Sequence, residues 1–386
     1  MSRHVAKTGF GALPRGRLPA LDIELTERCN NNCIHCCINR PADDAQAMGH
    51  ETPSPRLRRH LDEAAGLGCL DVRFTGGEPL LREDFAEIYL HARRLGMRVM
   101  LFTNARRITP ELADLFARVP PLAAIEISVY GMTRRTYEAV TRAPGSHAEF
   151  QQGVSQLVRR DIPFTVKWAL LPPNRGELDA FQAWAATIQG TKRPAAVVRT
   201  LQLRDRRDSE ERSRSIARLR PDPQEIASHL ADGGSERREL LRFCRRFLGP
   251  PGARLFNCGF GDAPCIDAYG RLQPCLGIRS PELTYDLEGG SMAEALAEFF
   301  PPLKEMKATD PDYLRRCARC FLKGLCEQCP ARSWSEHGTL DTPVEHLCSL
   351  AHAQARHLGL LEAGEQGWEV LNWRERIRQS PIAKTP

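Results

Sequence analysis

The 386-residue sequence lacks any apolar run that approaches the roughly 20 residues needed to cross a bilayer as a helix. Its first seven residues, MSRHVAK, lack the apolar core of a secretory signal. The sequence also lacks a strong excess of charge of either sign, because 54 basic and 48 acidic residues leave a net charge of only +6. These absences predict a cytoplasmic protein with no membrane association, and they do not favour nucleic acid as a partner.

Cysteine, by contrast, is abundant and clustered. The sequence has 14 cysteines, and the segment CNNNCIHC places Cys29, Cys33 and Cys36 within eight residues. Eight more follow downstream, at Cys258, Cys265, Cys275, Cys317, Cys320, Cys326, Cys329 and Cys348. In a reducing compartment, clustered thiols indicate metal ligands rather than disulfides.

The first group has a spacing that suits iron–sulfur chemistry. A [4Fe-4S] cubane takes four cysteines when it is fully ligated, whereas Cys29, Cys33 and Cys36 supply only three. An iron without a protein ligand is typical of catalysis rather than of scaffolding, as it is in zinc sites. A structural zinc ion is the alternative, although CxxxCxxC lacks the paired CxxC geometry of zinc ribbons.

In this order, the motifs resemble those of the radical S-adenosylmethionine (SAM) enzymes. The three clustered cysteines match the CxxxCxxC signature of that family, and residues 74–79 (FTGGEP) resemble its GGE motif. The later cysteines resemble the SPASM extension, which includes a Gly-x4-Cys element that Gly270 and Cys275 supply. The resemblances cover the chain from about residue 21 to 357 and imply reductive cleavage of SAM to a 5′-deoxyadenosyl radical.

The resemblance also implies a set of SAM-binding residues, namely His35, Gly76, Gly77, Glu78, Asn104, Ser128 and Arg142. Gly76 and Gly77 would let the backbone approach the methionine amine, since no side chain intervenes. Ser128 would contact the ribose, and Arg142 would pair with the methionine carboxylate, which suits a guanidinium fork. A tight turn, a strand-end hydroxyl and a surface cation are the structural interpretations of the same residues. No catalytic residue is assigned.

The eight downstream cysteines suit two further cubanes, which would bring the total to three. By resemblance, the nearer auxiliary cluster would be held by Cys258, Cys265, Cys275 and Cys329, and the farther one by Cys317, Cys320, Cys326 and Cys348. Cys265 has the least regular spacing, and without it the nearer cluster would keep an open iron. Zinc knuckles are the alternative for the CxxC-x5-CxxC run. The remaining thiols, Cys37, Cys69 and Cys244, are expected to be buried spares.

Alternating apolar and amphipathic segments predict an α/β fold. Strands are predicted at 21–26, 69–75, 98–103, 124–130, 164–170 and 197–203, with helical patterns between them. Such alternation implies a parallel sheet, and by resemblance a partial (β/α)6 barrel followed by a small cysteine-rich α+β SPASM domain. A β-hairpin is expected at 263–278. The cysteine motif and the GGE motif each follow a strand, so both belong at the same rim of the barrel.

The predicted organisation has five parts, at residues 1–20, 21–204, 205–250, 251–360 and 361–386. They are an N-terminal extension, the barrel, a charged linker with bridging helices, the SPASM domain and a C-terminal tail. Residues 204–220 mix charges of both signs densely, which predicts a solvated linker or an exposed helix. A docking surface for a peptide is the alternative for this segment.

The substrate implied by the resemblance is a ribosomally made peptide that undergoes crosslinking, thioether formation or oxidation. Formylglycine formation is disfavoured, because Leu276 stands where those relatives carry an aspartate. Only about 20 residues precede the first predicted strand, so a separate protein or the barrel itself would bind a leader peptide. An external donor of the flavodoxin or ferredoxin type would supply electrons. The alternatives are an enzyme acting on a small molecule or tetrapyrrole, and a non-enzymatic electron carrier.

Overall fold

The computed structural model describes residues 17–191, 194–228, 235–247 and 249–382. Residues 1–16 of the predicted N-terminal extension lie outside these ranges, as do residues 383–386 of the predicted tail. None of the helices within the ranges combines the length and the apolarity needed to cross a bilayer.

Short strands recur along the described chain. They are β1 (Ala20–Thr26), β2 (Arg28–Cys29), β3 (Arg40–Pro41), β4 (Asp71–Gly76), β5 (Arg98–Thr103), β6 (Leu122–Val129), β7 (Phe164–Ala169), β8 (Ala196–Val198), β9 (Cys265–Ile266), β10 (Arg271–Gln273) and β11 (Tyr285–Asp286). Five of the six predicted barrel strands agree within two residues. The sixth is shorter than predicted. Leu201 and Leu203 are apolar and buried, as strand residues would be, but they pack beyond the end of β8.

Helices alternate with the strands and then dominate the C-terminal third. They are α1 (Ala45–His50), α2 (Ser54–Gly66), α3 (Phe85–Arg94), α4 (Pro110–Arg118), α5 (Arg134–Thr141), α6 (Ser146–Val158), α7 (Leu178–Ala186), α8 (Glu210–Ala217), α9 (Pro223–Ser228), α10 (Ser235–Arg246), α11 (Met292–Glu294), α12 (Phe300–Lys304), α13 (Pro311–Arg315), α14 (Pro330–His337), α15 (Glu345–His357) and α16 (Trp373–Gln379). A π-helical turn, Ala295–Phe299, joins α11 to α12.

The sheet has the topology of the predicted partial (β/α)6 barrel. Strands β1, β4, β5, β6, β7 and β8 are parallel neighbours in that order, with helices in the crossovers. At the other edge of β1, β9 pairs in parallel and β10 returns antiparallel, which is the predicted hairpin.

Strands β1 and β4 have an apolar face toward the helices and a polar inner face. On β4, Phe74 lies 6.3 Å from the ring of Phe85 on α3, whereas the flanking Arg73 belongs to the opposite face. On β1, the alternation leaves Asp22 and Glu24 on the inner face. The interior of the barrel is therefore lined by charged and polar side chains, as a site for a polar ligand requires.

The chain divides into two compact units. Unit 1 comprises Met1–Leu219, Gly259–Leu276 and Pro281–Pro301, and it contains the sheet. Unit 2 comprises Arg220–Cys258, Gly277–Ser280 and Pro302–Pro386, and it contains most of the later cysteines. The predicted tail supplies α16 to unit 2, where Ile377 packs in a core with Leu241 and Phe321.

The charged segment at 204–220 is partly buried, so the prediction of a solvated linker was wrong for its first residues. Arg204 and Asp205 are buried, and Arg206 forms an ion pair with the buried Glu27 at the end of β1. Glu27 also accepts a hydrogen bond of 2.7 Å from the hydroxyl of Tyr269. The charges are buried because they pair with one another and with the barrel rim, which composition alone does not reveal. Helix α8 follows, and only its Ile216 is buried.

Candidate active site

The loop that carries the first three cysteines follows β1 at the carboxyl end of the sheet. Its base is closed where β2 pairs with β3, which brings Cys29 opposite Pro41. The loop also rests on the end of α5, since the Ile34 amide donates to Val140 O at 2.9 Å. Sequence spacing and strand topology thus place all three thiols at the end of the barrel where parallel barrels carry their active-site residues.

The chemical environment of these thiols fits an iron–sulfur cluster. Burial is the largest influence on all three thiols, and it raises the pKa of Cys29, Cys33 and Cys36. The backbone amides of Ile38 and Asn39 donate to the sulfur of Cys36 and oppose that rise. Buried thiols flanked by N–H donors suit thiolate ligation of a cationic centre.

Within the described ranges, no group of three or more His, Cys, Asp or Glu side chains is arranged to hold a single metal ion. A [4Fe-4S] cubane requires a different arrangement of ligands from a single metal ion, because each of its cysteines binds a different iron atom.

The two glycines of the GGE motif are required because the neighbouring backbone leaves no room for a side chain. Gly76 has a φ of 122°, and a Cβ at Gly76 or at Gly77 would collide with the carbonyl oxygen of Thr26 or Arg28, respectively. The Gly77 amide donates to Thr26 O at 2.7 Å. These glycines therefore fix the end of β1, just before the cysteine loop, and their predicted contact with methionine remains a prediction.

Glu78 is fully buried and links two strand ends. Its carboxylate accepts hydrogen bonds from the Asn104 amide at 2.7 Å and from the Thr103 hydroxyl at 2.7 Å. Burial raises its pKa to about 7 despite these bonds. The Asn104 side chain in turn donates to Asn30 Oδ1 at 2.8 Å and lies 3.9 Å from the Cys29 sulfur. Glu78 thus positions Asn104 against the cysteine loop.

Arg106 is a further residue of this site that the sequence analysis missed. Its guanidinium donates to Asn31 Oδ1 at 2.6 Å and to the carbonyl oxygen of Asn30, and it forms an ion pair of 2.7 Å with Glu149. It therefore clamps the cysteine loop from the end of β5. No sequence pattern marks it, because its partners lie about 75 residues earlier.

Ser128, Tyr130 and Cys33 influence one another at the end of β6. Burial is the largest influence and raises the pKa of both Cys33 and Tyr130, and the neighbouring Tyr130 and Ser128 side chains, respectively, oppose that rise. The Tyr130 ring lies 5.8 Å from the ring of His35, whose pKa burial lowers to about 4. A neutral, half-buried imidazole at this position is compatible with the SAM-binding role predicted for His35. Tyr130 was not among the predicted residues.

Two arginines approach the cysteine loop from different elements. Arg142 is exposed at the end of α5 in the left-handed conformation, with a φ of 50°. Arg212 on α8 donates to the carbonyl oxygen of Cys33 and lies 3.4 Å from Asn32 Oδ1. Burial and the nearby Arg142 and Arg204 lower the pKa of Arg212. Positive charge is therefore concentrated beside the three thiols, and Arg212 was not among the predicted residues.

The four cysteines predicted for the nearer auxiliary cluster are divided between the units. Cys265 and Cys275 belong to unit 1, whereas Cys258 and Cys329 belong to unit 2. Cys265 is fully buried on β9, opposite Asp22 of β1. The assignment of these four to one cluster remains a prediction.

The four cysteines predicted for the farther auxiliary cluster line one pocket within unit 2. The pocket is lined by Cys317, Cys320, Cys326 and Cys348, together with His352 and Trp368. Burial raises the pKa of Cys326 to about 11 and that of Cys317 to about 12. The number and type of donors therefore fit a cubane, although the ligand roles remain predictions.

Residues around this pocket contact its thiols directly. Arg316 donates to the Cys348 sulfur at 3.5 Å, and the His352 Nδ1 lies 3.6 Å from the same sulfur. The Gly367 amide donates to His352 Nε2 at 3.0 Å, and a Cβ at Gly367 would lie 2.7 Å from the Cys320 sulfur. The predicted tail, for which the sequence analysis assigned no role, therefore forms one wall of the pocket.

The fold and the cysteine loop define a radical SAM barrel, and residues 23–185 match the family model described as the radical SAM superfamily. The match covers the barrel, and the region that follows it contains the later cysteines. The matched family implies SAM and a [4Fe-4S] cluster as cofactors of this domain.

Curated relatives match between about two fifths and most of the chain. A PqqA peptide cyclase of Rhodopseudomonas palustris is 33% identical over 161 residues, which are 42% of this chain and 41% of that protein. An AdoMet-dependent heme synthase of Methanosarcina barkeri is 30% identical over 155 residues, 40% of this chain and 43% of that protein. The chain thus spans less than half the length of these two. A PqqA peptide cyclase of Streptomyces rochei is 26% identical over 344 residues, 86% of each protein.

Solved structures share the fold across most of the chain. Histidine-tagged anSMEcpe with bound AdoMet matches with a TM-score of 0.61 at 13% identity, covering 88% of this chain and 93% of that chain. Streptococcus suis SuiB bound to S-adenosylmethionine matches with a TM-score of 0.51 at 14% identity, covering 86% and 77%.

Proposed function

We propose that the protein is a peptide-modifying radical SAM enzyme that works in a reducing cytoplasm. The observation that carries the proposal is the loop of three buried thiols at the carboxyl end of β1, beside Gly77 and Asn104. The match to a peptide cyclase over 86% of the chain supports a peptide as substrate. The bond formed would be a side-chain crosslink, a thioether or an oxidation.

In this proposal, Cys29, Cys33 and Cys36 hold the cluster that faces SAM, and two auxiliary clusters use the later cysteines. When bound, the cluster supplies the electron that cleaves SAM, and the resulting 5′-deoxyadenosyl radical abstracts hydrogen from the substrate. Glu78 and Arg106 hold the cysteine loop in place through Asn104 and Asn31. A flavodoxin or ferredoxin would deliver electrons, and a separate protein would present the peptide leader.

Arg142 and Arg212 would place positive charge around the methionine end of SAM, whereas Ser128 and His35 would contact its nucleoside. Tyr130, whose ring lies 5.8 Å from that of His35, would help to hold the cysteine loop in position. The inner face of the barrel would then receive the substrate beside the nucleoside.

The test is SAM cleavage by anaerobically reconstituted protein with a reductant. The proposal expects 5′-deoxyadenosine from the wild type and none from Cys33→Ala. A fully loaded wild type that yields no 5′-deoxyadenosine would support an electron carrier and refute an enzyme. Deuterium transfer from labelled candidate peptides into 5′-deoxyadenosine would then identify the substrate.

A tetrapyrrole substrate is the second candidate, because a heme synthase is 30% identical over 155 residues. Incubation with iron-coproporphyrin and mass spectrometry of the product distinguishes it from the peptide. Loss of propionate carbons with no change in any peptide would favour this candidate.

A further inference from the structure

A row of charged side chains crosses the inner face of the barrel around one aromatic ring. Lys167 on β7 lies 2.6 Å from Glu126 Oε1 on β6, and its ammonium lies 4.1 Å from the centre of the Phe102 ring. The guanidinium of Arg73 lies 5.1 Å from the same ring centre and is paired with Asp22. Both cations thus have a carboxylate partner and an aromatic contact.

The Lys167 ammonium differs from its neighbours in accessibility. Its side chain is 27% exposed, whereas those of Glu126 and Arg73 are each 7% exposed. An ammonium carries three hydrogen-bond donors. In the part of the chain that the structure describes, Glu126 is the only hydrogen-bond acceptor that Lys167 meets. The remaining donors are therefore available to solvent or to a ligand.

The position of Lys167 places it at the centre of the proposed reaction. In the parallel register, Lys167 stands opposite Ser128, the residue predicted to contact the ribose of SAM. The ammonium therefore lies next to the nucleoside end of the proposed SAM site.

The other charges near this position favour an anion as the ligand. Arg212 hydrogen-bonds to carbonyl and amide oxygens, and it meets no carboxylate within the described ranges. Within the described ranges, Glu126 is the only carboxylate with which Lys167 forms an ion pair, so the exposed part of its ammonium offers positive charge to an anion.

We propose that Lys167 binds a carboxylate of the substrate beside the position of hydrogen abstraction, with Glu126 and Phe102 holding its ammonium in place. This inference rests on the proposed function and names a specificity determinant for it. Two sources share the chemistry: an Asp or Glu side chain of a peptide, and a propionate of a tetrapyrrole. Loss of one hydrogen bond to a charged group corresponds to about a 10- to 100-fold loss of affinity.

The test uses cluster-loaded, SAM-bound protein and matched neutral and anionic probes. One pair is an acetylated, amidated pentapeptide with Glu or with Gln at its centre. The other pair is coproporphyrin III and its tetramethyl ester. Dissociation constants are measured for the wild type, Lys167→Met, Lys167→Arg and the control Lys304→Met, which changes a lysine of α12 outside the site.

The wild type and Lys304→Met are expected to prefer the anionic member of one pair by about 10- to 100-fold. Lys167→Met should lose that preference while retaining its affinity for the neutral member, and Lys167→Arg should keep part of it. Preference within the peptide pair or within the porphyrin pair identifies the source of the carboxylate.

Two results would overturn the inference. One is a wild type without preference in either pair, and the other is a preference that survives in Lys167→Met. Iron content and melting temperature of each variant distinguish loss of the carboxylate site from loss of the fold. SAM cleavage by the wild type, measured in parallel, tests the proposed function separately: it can succeed while both carboxylate preferences fail.

Discussion

The carboxylate of Glu78, at the end of β4, accepts the backbone amide hydrogen of Asn104, at the end of β5, at a distance of 2.7 Å. Through this bond, an acid of the GGE motif controls the strand end that contacts Asn30 in the cysteine loop. The motif therefore acts on the loop from two sides, because Gly77 also bonds to the end of β1. The positions of the three thiols therefore depend on residues that need not contact SAM.

Glu78→Gln should change how stability depends on pH. Burial raises the pKa of Glu78 from 4.5 to about 7, so between these values the folded protein keeps a proton that the unfolded chain has lost. The free energy of unfolding of the wild type should therefore fall as the pH rises from about 4.5 to 7, by up to about 3 kcal/mol. The variant should lack this contribution. Melting temperatures at several pH values measure it, and parallel curves for the two proteins would contradict it.

Gly77→Ala should disrupt the cysteine loop, because the added methyl group would collide with the backbone at Arg28. A loss of stability of about 3 kcal/mol is expected for such overpacking, together with a lower iron content. Gly66→Ala in α2 is the matched control, since a Cβ there meets nothing within 4 Å. The control should be neutral or up to about 1 kcal/mol more stable. Equal melting temperatures for the two variants would refute this account of Gly77.

Much of the barrel could be predicted from the sequence, because period-2 and period-3.6 patterns report local burial. The bounds of Arg98–Thr103 were predicted to the residue. The four thiols that line the pocket in unit 2 are those that the family resemblance assigns to the farther cluster, and that assignment remains a prediction.

The residues that were missed depend on contacts distant in sequence. Arg106 meets partners about 75 positions away, and Tyr130 follows a strand where an aromatic residue is usually part of the core. Trp368 lies in a tail without a cysteine motif, so its place beside the thiols depends on tertiary packing. The burial of Arg204 was missed because composition does not show which charges find partners.

Arg106→Gln should loosen the cysteine loop. The variant loses an ion pair to Glu149 and a hydrogen bond to Asn31, so stability should fall by about 2 kcal/mol and iron content should fall with it. Arg107→Gln is the control, because the adjacent Arg107 is exposed. Iron per protein after identical reconstitution is the measurement. Equal iron content in both variants would mean that the clamp is not needed for cluster binding.

Substitutions in the two groups of cysteines should have different effects on SAM cleavage and on substrate turnover. Cys33→Ala should abolish 5′-deoxyadenosine formation, because one of only three proposed ligands is lost. Cys320→Ala should retain some SAM cleavage and block turnover of the substrate, since its thiol belongs to the pocket of unit 2. Cys69→Ala, which removes a thiol bonded to Asp71 O, should retain both activities. Equal loss of SAM cleavage in Cys33→Ala and Cys320→Ala would contradict this division.

Arg316→Gln should lower the reduction potential of a cluster bound in the pocket of unit 2. The Arg316 guanidinium lies 3.5 Å from the Cys348 sulfur and 2.7 Å from Glu345, which holds it beside the thiols. A cation there stabilises the reduced cluster, which carries one more negative charge than the oxidised cluster. Removing a charged hydrogen bond should shift a one-electron potential downward by on the order of 50 mV.

A redox titration followed by electron paramagnetic resonance measures this shift. Arg315→Gln is the matched control, because Arg315 is 71% exposed and pairs only with Asp312 among the described residues, so its loss should leave the potential nearly unchanged. Equal potentials for Arg316→Gln and Arg315→Gln would mean that the contact with Cys348 does not tune the cluster. A fall confined to Arg316→Gln would also place that cluster at Cys348, because charge acts on the potential most strongly at short range.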